Sequence, residues 1–419
     1  MKARELIQVA QPKKHSGRQE YCPNPQVGGL SYAGSARLQR AGCRSFQAPW
    51  FSFGILHWVL LIAILPTFSV FGQSPEALGK VRETVGKEFP ALHSPGLSVA
   101  VAVSNVVCWS AGFGHADLEA KRPATSATIY RYASISKPIA ATAVMQLVEQ
   151  SKVSLDAPVQ EYVPSFPEKS EGTITTRHLL THTSGIRHYR GMEFLSNRRY
   201  ESVGAALGIF KDDPLEFTPG TKYQYSSHAY NIVAAVVEQA SARSFRHYLK
   251  EEIFHPAGMT TADLEFLEEP LTNRCRQYLR VGERFIPAPT VDLSCKWAGG
   301  GMAGTAEDLV RFCTALDQDK LLKPGTRARM YESATLADGS RTGYGLGWRL
   351  VRDKQRRTWT THSGGATGGS TYLLHNSPNR IAVALLANAQ DVKGLDALAL
   401  RLGEMLLPGN QAATAESDK

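Results

Sequence analysis

Ser134 and Lys137 stand three residues apart at the start of a segment with helical periodicity. Residues at this spacing lie on one face of a helix, within mutual reach. A serine hydroxyl is a weak nucleophile until a base takes its proton, and free N–H groups in the first turn of a helix stabilise an oxyanion. The pair is therefore a candidate for nucleophilic catalysis, although the S-x-x-K spacing by itself is common in proteins. The alternative is an ordinary N-cap serine followed by a solvated lysine.

Tyr225 is the second candidate for chemistry, on a loop between the turn Pro219-Gly220 and a helix predicted from about Tyr230. A tyrosine on such a loop is well placed to enter a cleft. There a lysine ammonium would favour the ionised phenol, so that Tyr225 acts as acid and base in turn. The alternative is that Tyr225 only packs against neighbouring aromatic side chains.

The third candidate is the run His362-Ser363-Gly364-Gly365, just before a predicted strand. Glycines let the backbone of a strand come close to a ligand. The amide of Gly365 would then pair with that of Ser134 as an oxyanion hole, and His362 would bind or polarise the substrate. The alternative is a glycine-rich turn with an exposed histidine.

These residues need elements that bring them together. Hydrophobic periodicity predicts a helix over 75–89, a half-buried strand over 97–103, strands over 371–374 and 381–386, and an amphipathic helix over 394–406. Helices and loops dominate between them, from about residue 136 to residue 293. The pattern predicts a sheet that is begun near the N-terminus and completed near the C-terminus, a mainly helical insertion, and a cleft between the two parts.

Charge is distributed unevenly along the chain. The net charge is +9 over 419 residues, yet residues 1–49 hold eight Lys or Arg against two Glu, and residues 50–72 hold no charged residue. The remainder is close to neutral, which argues against a nucleic-acid partner.

The apolar stretch 50–72 ends in small residues and is followed by Gln73-Ser74, which predicts a signal peptide. It is nearly long enough to span a bilayer, so an uncleaved membrane anchor is the alternative. Both the signal peptide and the anchor predict an exported protein that is periplasmic or extracellular. An uncleaved anchor would attach this protein to the inner membrane. An Arg-bearing leader to an organelle is a further, weaker alternative.

No cluster of His, Cys and carboxylate residues has metal-ligand spacing, so we expect neither a metal nor another cofactor. The cysteines after the apolar stretch are best explained as buried thiols. An oxidising compartment would also permit disulfides, and the sequence does not indicate their pairing.

Taken in order, S-x-x-K, Tyr-x-x and His-x-Gly resemble the motifs of penicillin-binding and beta-lactamase serine hydrolases, and more narrowly the class C beta-lactamase, D-alanyl-D-alanine carboxypeptidase and esterase branch. The chain also resembles the serine beta-lactamase-like protein family, which has mitochondrial and bacterial members. That resemblance spans about residues 75–406. The stretches that carry it beyond Ser134–Lys137 are 158–164, 184–189, 210–215 and 296–301.

The resemblance implies an α/β fold of the beta-lactamase/transpeptidase type: an antiparallel sheet flanked by helices, a mainly helical domain, and an active site in the cleft between them. It implies Ser134 as nucleophile, Lys137 and Tyr225 as proton-transfer groups, and Ser227, His362, Gly364 and Gly365 as substrate-binding residues. Some family members form filaments, so a homo-oligomer or filament is a candidate assembly. The implied domains are a basic extension over 1–49, a signal or anchor over 50–72, the hydrolase over 73–408 and a polar tail over 409–419.

Two departures from the motifs bear on the substrate. Many relatives have Asn where Ser227 stands and Lys where His362 stands. A serine reaches less far than an asparagine, and an unperturbed histidine is mostly neutral near pH 7, so both changes argue against strong beta-lactam hydrolysis.

The sequence therefore predicts a serine hydrolase acting through an acyl-enzyme on a peptide, amide or ester, with peptidase or amidase activity favoured. The alternative within the class is a carboxylesterase or weak beta-lactamase. The alternative from another class is a non-catalytic or filament-forming structural protein.

Overall fold

The computed structural model describes residues 75–269 and 272–408. The predicted extension over 1–49, the signal or anchor segment over 50–72 and the polar tail over 409–419 lie outside the described residues. Within the described ranges, no helix combines the length and apolar character needed to cross a bilayer.

Helices and strands alternate irregularly along the chain. The helices are α1 Pro75–Glu88, α2 Ser136–Glu149, α3 Thr176–Leu180, α4 Val203–Leu207, α5 Ser227–Ser241, α6 Phe245–Leu249, α7 His255–Ala257, α8 Trp297–Gly300, α9 Ala306–Asp317, α10 Pro324–Met330 and α11 Leu395–Met405. The strands are β1 Gly96–Val103, β2 Val106–Asp117, β3 Arg122–Pro123, β4 Tyr130–Arg131, β5 Asp263–Leu264, β6 Tyr278–Val281, β7 Arg284–Pro287, β8 Met302–Gly304, β9 Arg349–Arg352, β10 Thr358–Ala366, β11 Gly369–Asn376 and β12 Ile381–Ala387.

One antiparallel sheet organises the fold, with the strand order β3-β2-β1-β12-β11-β10-β9. Strand β1, from the start of the described chain, pairs with β12, from its end, in the register Leu97 opposite Ala387 to Val103 opposite Ile381. The segment between β3 and β9 holds most of the helices and two small sheets, β4-β8-β5 and β6-β7. The predicted order of sheet, helical insertion and sheet is confirmed.

Strand β1 is buried along its whole length, so the prediction of a half-buried strand is wrong. Alternate residues of a strand point to opposite faces of the sheet. Ala100 and Ala102 join the core cluster that includes α2, α5 and α9, whereas Val99 and Val101 join the cluster of α1 and α11. Helices pack on both faces of the sheet, so that β1 and β12 at its centre are buried on both sides.

Helix α2 is buried on nearly every side, with eleven of its fourteen residues inaccessible. A helix that is apolar all round belongs in the interior of a protein. The helix packs against α5 and α8, and these contacts hold the helix that begins at Ser136 in place. The cysteines of the described residues are all free thiols: Cys275, Cys295 and Cys313 are buried and Cys108 is half-buried.

A buried ion pair joins the segment before Ser134 to two other parts of the fold. Arg131 and Glu265 are each 3% exposed and lie 2.7 Å apart. Arg131 also donates to the carbonyl of Thr367, in the turn between β10 and β11, at 2.8 Å. This one guanidinium therefore fixes the strand before Ser134 relative to the glycine-rich end of β10.

We expect Arg131→Met to lower the free energy of unfolding by about 1.5–3 kcal/mol, because the buried carboxylate of Glu265 loses its hydrogen bonds from Arg131 and keeps Arg274, at 2.5 Å, as its remaining charged partner. The matched control is Lys80→Met, which breaks an exposed ion pair with Glu76 and should cost less than about 1 kcal/mol. Urea unfolding followed by tryptophan fluorescence measures both. Equal costs for the two variants would show that the Arg131 pair does not anchor the fold.

Candidate active site

Ser134 lies in a short 3-10 helix, Ala133–Ile135, that leads directly into α2. The preceding residue, Ala133, has a positive φ of 50°, a conformation uncommon for residues other than glycine. Ser134 is half-buried, and every other residue from Thr128 to Met145 is buried. The fold thus exposes one hydroxyl from an otherwise enclosed segment, at a helical first turn whose N–H groups lack acceptors within the helix.

The amine of Lys137 is the centre of the site. Its Nζ lies 3.1 Å from Ser134 Oγ, 3.0 Å from Ser227 Oγ and 2.6 Å from the carbonyl oxygen of Gly299. The predicted proximity of Ser134 and Lys137 on one face is what the structure shows. The amine also brings in Gly299, which the motifs did not identify.

Lys137 has no exposed surface and forms no ion pair with a carboxylate among the described residues. Burial, with a smaller contribution from the charge of Lys296, lowers the pKa of Lys137 well below its ordinary value of 10.5. Burial disfavours the charged form of a lysine. A neutral amine carries a lone pair, which is what a group needs to accept a proton from Ser134.

Tyr225 lies beside this amine, with Lys137 Nζ 4.7 Å from the centre of its ring. Burial has the largest effect on its hydroxyl and raises the pKa of Tyr225, although the neighbouring hydroxyls of Ser134 and Ser227 favour ionisation. The expectation that a lysine ammonium favours the ionised phenol is therefore wrong. It assumed a charged lysine, whereas burial disfavours charge on both groups, and Tyr225 is a neutral phenol.

Ser227 is the first residue of α5, a helix that begins three residues earlier than its apolar pattern predicts. Two histidines hold the start of this helix. The backbone N–H of Ser226 donates to His182 Nδ1 at 3.2 Å, and that of Ser227 donates to His188 Nδ1 at 3.1 Å. Because each Nδ1 accepts a hydrogen bond and so carries no proton of its own, both imidazoles are neutral. Burial lowers the pKa of His188 to about 4.

His182 and His188, which belong to none of the three motifs, lie beside Tyr225. The ring centre of His182 is 4.3 Å from that of Tyr225 and 4.8 Å from that of Tyr344. That of His188 is 5.6 Å from Tyr225. Both are positioning residues for the Tyr225 loop. The signal in the sequence for His188 is its place in the stretch 184–189, which resembles the family.

The glycines of β10 permit close contact with the Ser134 turn. A Cβ on Gly364 would lie 2.2 Å from Thr371 Oγ1 and 2.6 Å from the carbonyl oxygen of Tyr132, so no side chain fits there. Gly365 differs, because a Cβ at that position would meet nothing within 4 Å and the residue is exposed. The structure thus brings the predicted third motif next to the segment that carries Ser134, with open space at Gly365.

His362 is 4% exposed, and both of its ring nitrogens are engaged within the protein. Nδ1 lies 2.7 Å from the carbonyl oxygen of Ser363. A carbonyl only accepts, so Nδ1 carries the proton and Nε2 accepts from the hydroxyl of Tyr344 at 2.8 Å. Burial lowers the pKa of His362 to about 3. The alternative of an exposed histidine is wrong, and His362 supplies no positive charge at neutral pH.

The fold positions one more lysine against this site. Lys296 is 4% exposed, and its Nζ donates to the carbonyl oxygen of Phe194 at 2.9 Å. It stands just before α8, whose Gly299 carbonyl accepts from Lys137. Burial lowers the pKa of Lys296 to about 8.

Within residues 75–269 and 272–408, no group of His, Cys and carboxylate side chains is arranged to hold a metal ion.

Comparison with known proteins places this geometry in a family. The model of the beta-lactamase family matches residues 81–403. The serine beta-lactamase-like protein LACTB, mitochondrial, of Homo sapiens is 31% identical over 79% of this chain and 78% of its own. A D-aminopeptidase of Gluconobacter oxydans is 28% identical over 74% of this chain and 59% of its own. The octameric penicillin-binding protein homologue from Pyrococcus abyssi superposes with a TM-score of 0.67, at 24% identity over 77% and 76% of the two chains.

The buried, neutral His362 makes acid unfolding testable. Its pKa is about 3 in the folded chain and about 6.5 when unfolded. Between these values the unfolded state binds the extra proton, so stability falls as the pH falls through 6.5. We expect the wild-type chain to lose about 2–3 kcal/mol more than His362→Gln between pH 7 and pH 4.5.

Urea unfolding at pH 7 and pH 4.5 measures this difference. The hydrogen bond with Tyr344 that His362→Gln loses is missing at both pH values, so its cost cancels when the two free energies of unfolding are subtracted. The matched control is His255→Gln, at a histidine whose side chain is 65% exposed. Equal pH dependence of the wild-type chain and His362→Gln would show that His362 is not held neutral by burial.

Proposed function

The chain belongs to the beta-lactamase family of serine hydrolases, and on that premise we propose that it cleaves peptide or amide bonds through an acyl-enzyme on Ser134. The observation that carries the proposal is the buried amine of Lys137, 3.1 Å from Ser134 Oγ and without a carboxylate partner among the described residues. Such an amine is a base in contact with the one exposed hydroxyl of its segment.

In the proposed acylation step, the lone pair of Lys137 accepts the proton of Ser134 as Oγ attacks the substrate carbonyl. The carbonyl π electrons move to oxygen, and the amides of Ser134 and Gly365 stabilise the resulting oxyanion. When the electrons return, the bond to the leaving amine breaks. Water then repeats the attack on the acyl-enzyme and regenerates Ser134.

Tyr225 is the proposed acid for the departure of the leaving amine. An amine leaves readily only when it receives a proton, and a neutral phenol in contact with Ser134 is positioned to donate one. Lys137, protonated in the first step, then returns its proton to Tyr225. The raised pKa of Tyr225 supports Lys137 as the acylation base and Tyr225 as the group that protonates the leaving amine.

The proposed substrate is a peptide or amide whose binding does not depend on a permanent positive charge in the site. His362 is neutral and both its nitrogens are occupied, so a substrate carboxylate finds no permanent charge there. The short hydroxyl of Ser227 is engaged with Lys137. The related D-aminopeptidase supports peptide or amide cleavage. A carboxylesterase or weak beta-lactamase remains the alternative, and a non-catalytic role is disfavoured by the intact contacts of Ser134, Lys137 and Tyr225.

The remaining proposals concern the whole chain. We propose one hydrolase domain over 73–408, exported by the segment 50–72, with an organelle leader as the alternative that the mitochondrial relative supports. Self-association is proposed from the exposed apolar side chains of Val281 and Ile286 on the β6–β7 hairpin, and the octameric relative is consistent with it.

The experiment for the proposed chemistry is intact-mass analysis of the full chain after incubation with a fluorophosphonate. We expect one adduct, absent from Ser134→Ala and formed at least about 100-fold more slowly by Lys137→Met, because that variant lacks the base. The control Lys152→Met, at an exposed lysine, should react like the wild-type chain.

A substrate panel then separates the activities. Amino-acid amides and short peptides, p-nitrophenyl esters and nitrocefin are compared by kcat/KM, with Ser134→Ala as the blank. Ser134-dependent cleavage of an amide or peptide is the expected result. An adduct together with cleavage of esters alone would replace the peptidase assignment with the esterase, and a folded chain without an adduct would refute the serine-hydrolase mechanism.

A further inference from the structure

Lys296 is a buried lysine that the proposed reaction leaves unused. It is 4% exposed, and it forms no ion pair with a carboxylate among the described residues. Its Nζ donates to the carbonyl oxygen of Phe194 at 2.9 Å and lies 4.0 Å from the centre of the Phe194 ring. Lysines are almost never buried in this way without a counter-charge, so the position of this amine relative to Lys137 is informative.

The backbone of Lys296 supports one of the three contacts of Lys137. Its carbonyl oxygen accepts from the backbone N–H of Gly299 at 2.5 Å and from that of Gly300 at 3.0 Å. The carbonyl oxygen of Gly299 accepts in turn from Lys137 Nζ at 2.6 Å. The segment that begins at Lys296 therefore contacts the amine of Lys137 directly.

The side chain of Lys296 approaches a second contact of Lys137 through a tyrosine ring. Lys296 Nζ lies 5.6 Å from the centre of the Tyr189 ring, within the range in which a ring face attracts a cation. The hydroxyl of Tyr189 neighbours that of Ser227, and Ser227 Oγ lies 3.0 Å from Lys137 Nζ. Along this path, one tyrosine and one serine side chain connect the two amines.

The other titratable groups that face Lys137 are uncharged at neutral pH. Burial lowers the pKa of the three histidines beside it and raises the pKa of the two tyrosines beside it. These groups are His182, His188, His362, Tyr225 and Tyr230. Among the described residues, the charge that acts on the amine of Lys137 is that of Lys296.

Lys296 keeps its own charge at neutral pH, because burial lowers its pKa only to about 8. The charged groups of Arg131 and Glu265 act on it in opposite directions, and they form an ion pair with each other at 2.7 Å. Burial raises the pKa of the adjacent Cys295 thiol, which is therefore uncharged. Below about pH 8, Lys296 thus presents an ammonium to the site.

Two carboxylates on the segments that hold Lys296 are engaged by other partners. Glu193 accepts from Arg187 at 2.8 Å, and Asp292 accepts from the backbone N–H of Ser294 at 2.8 Å. Neither carboxylate forms an ion pair with Lys296. The positive charge of Lys296 is therefore not neutralised by direct contact with an acid among the described residues.

We propose that Lys296 is a positioning residue for the base of the reaction: its buried ammonium keeps Lys137 in the uncharged form that accepts the proton of Ser134. A like charge nearby disfavours the charged form of a titratable group, and a neighbouring cation is one way in which proteins activate a lysine. The proposal rests on the proposed function at Ser134. Lys296 itself forms no bond with the substrate.

The first test measures the pKa of Lys137 by nuclear magnetic resonance of the full chain labelled with ¹³Cε-lysine. Lys296→Gln removes the charge and keeps a donor for the carbonyl oxygen of Phe194, whereas Lys296→Met removes both. We expect each variant to raise the pKa of Lys137 by at least about half a pH unit, because the amine then faces no second cation. Lys296→Arg keeps the charge and should keep the wild-type pKa. The control Lys152→Gln, at an exposed lysine, should keep it too.

The second measurement separates this role from a purely structural one. The rate of fluorophosphonate labelling at Ser134 is followed as a function of pH. In Lys296→Gln the acidic midpoint of that profile should rise together with the pKa of Lys137, while the rate above the midpoint stays within about threefold of wild type. A structural defect would lower the rate at every pH and leave the midpoint in place.

An unchanged pKa of Lys137 in folded Lys296→Gln would overturn the proposal and leave the function of Ser134 standing. If that variant does not fold, as judged by circular dichroism, Lys296→Met decides in its place. An equal rise in Lys296→Arg would also refute the proposal, because the charge would then not be the cause. If the wild-type chain forms no fluorophosphonate adduct, the proposed function fails, and the resonance titration still decides whether Lys296 controls the protonation of Lys137.

Discussion

The enclosure of one amine without a counter-charge is the constraint on which the site depends. An isolated ammonium in a protein interior costs several kcal/mol, so burial of Lys137 favours the neutral base. Its three contacts come from distant segments: Ser134 before α2, Ser227 at the start of α5, and Gly299 in α8. The amine thereby joins the nucleophile, the tyrosine loop and a glycine-rich helix in one hydrogen-bonded group.

The residues around Lys137 are also held by close contacts between uncharged groups. A Cβ on Gly299 would lie 2.7 Å from the carbonyl oxygen of Ser227, which is why α8 approaches α5 so closely. His182 and His188 accept the first N–H groups of α5, and a helix start has no intrahelical acceptors for them. Both rings serve as acceptors only while neutral, so the electrostatics that favour a free amine at Lys137 also favour the geometry of Tyr225.

Sequence reasoning succeeded where the relevant contact is local. Ser134 and Lys137 meet because side chains three residues apart lie on one face of a helix, and the strands β1 and β12 were each evident from a short apolar run. Sequence reasoning failed where the contacting residues are far apart in the sequence. His182 binds the N–H of Ser226, 44 residues later, and no periodic pattern encodes that pairing. The ionisation of Tyr225 was mispredicted because it depends on burial, which emerges only when the insertion folds onto the sheet.

The most direct test of this account is the protonation state of Lys137 itself. Nuclear magnetic resonance of the full chain labelled with ¹³Cε-lysine, titrated from pH 6 to pH 11 and assigned with Lys137→Met, reports that state. We predict that the Lys137 resonance is that of an amine with a pKa well below 10.5. A resonance that titrates near 10.5 together with the exposed lysines would contradict the account, because Ser134 would then face an ammonium instead of a base.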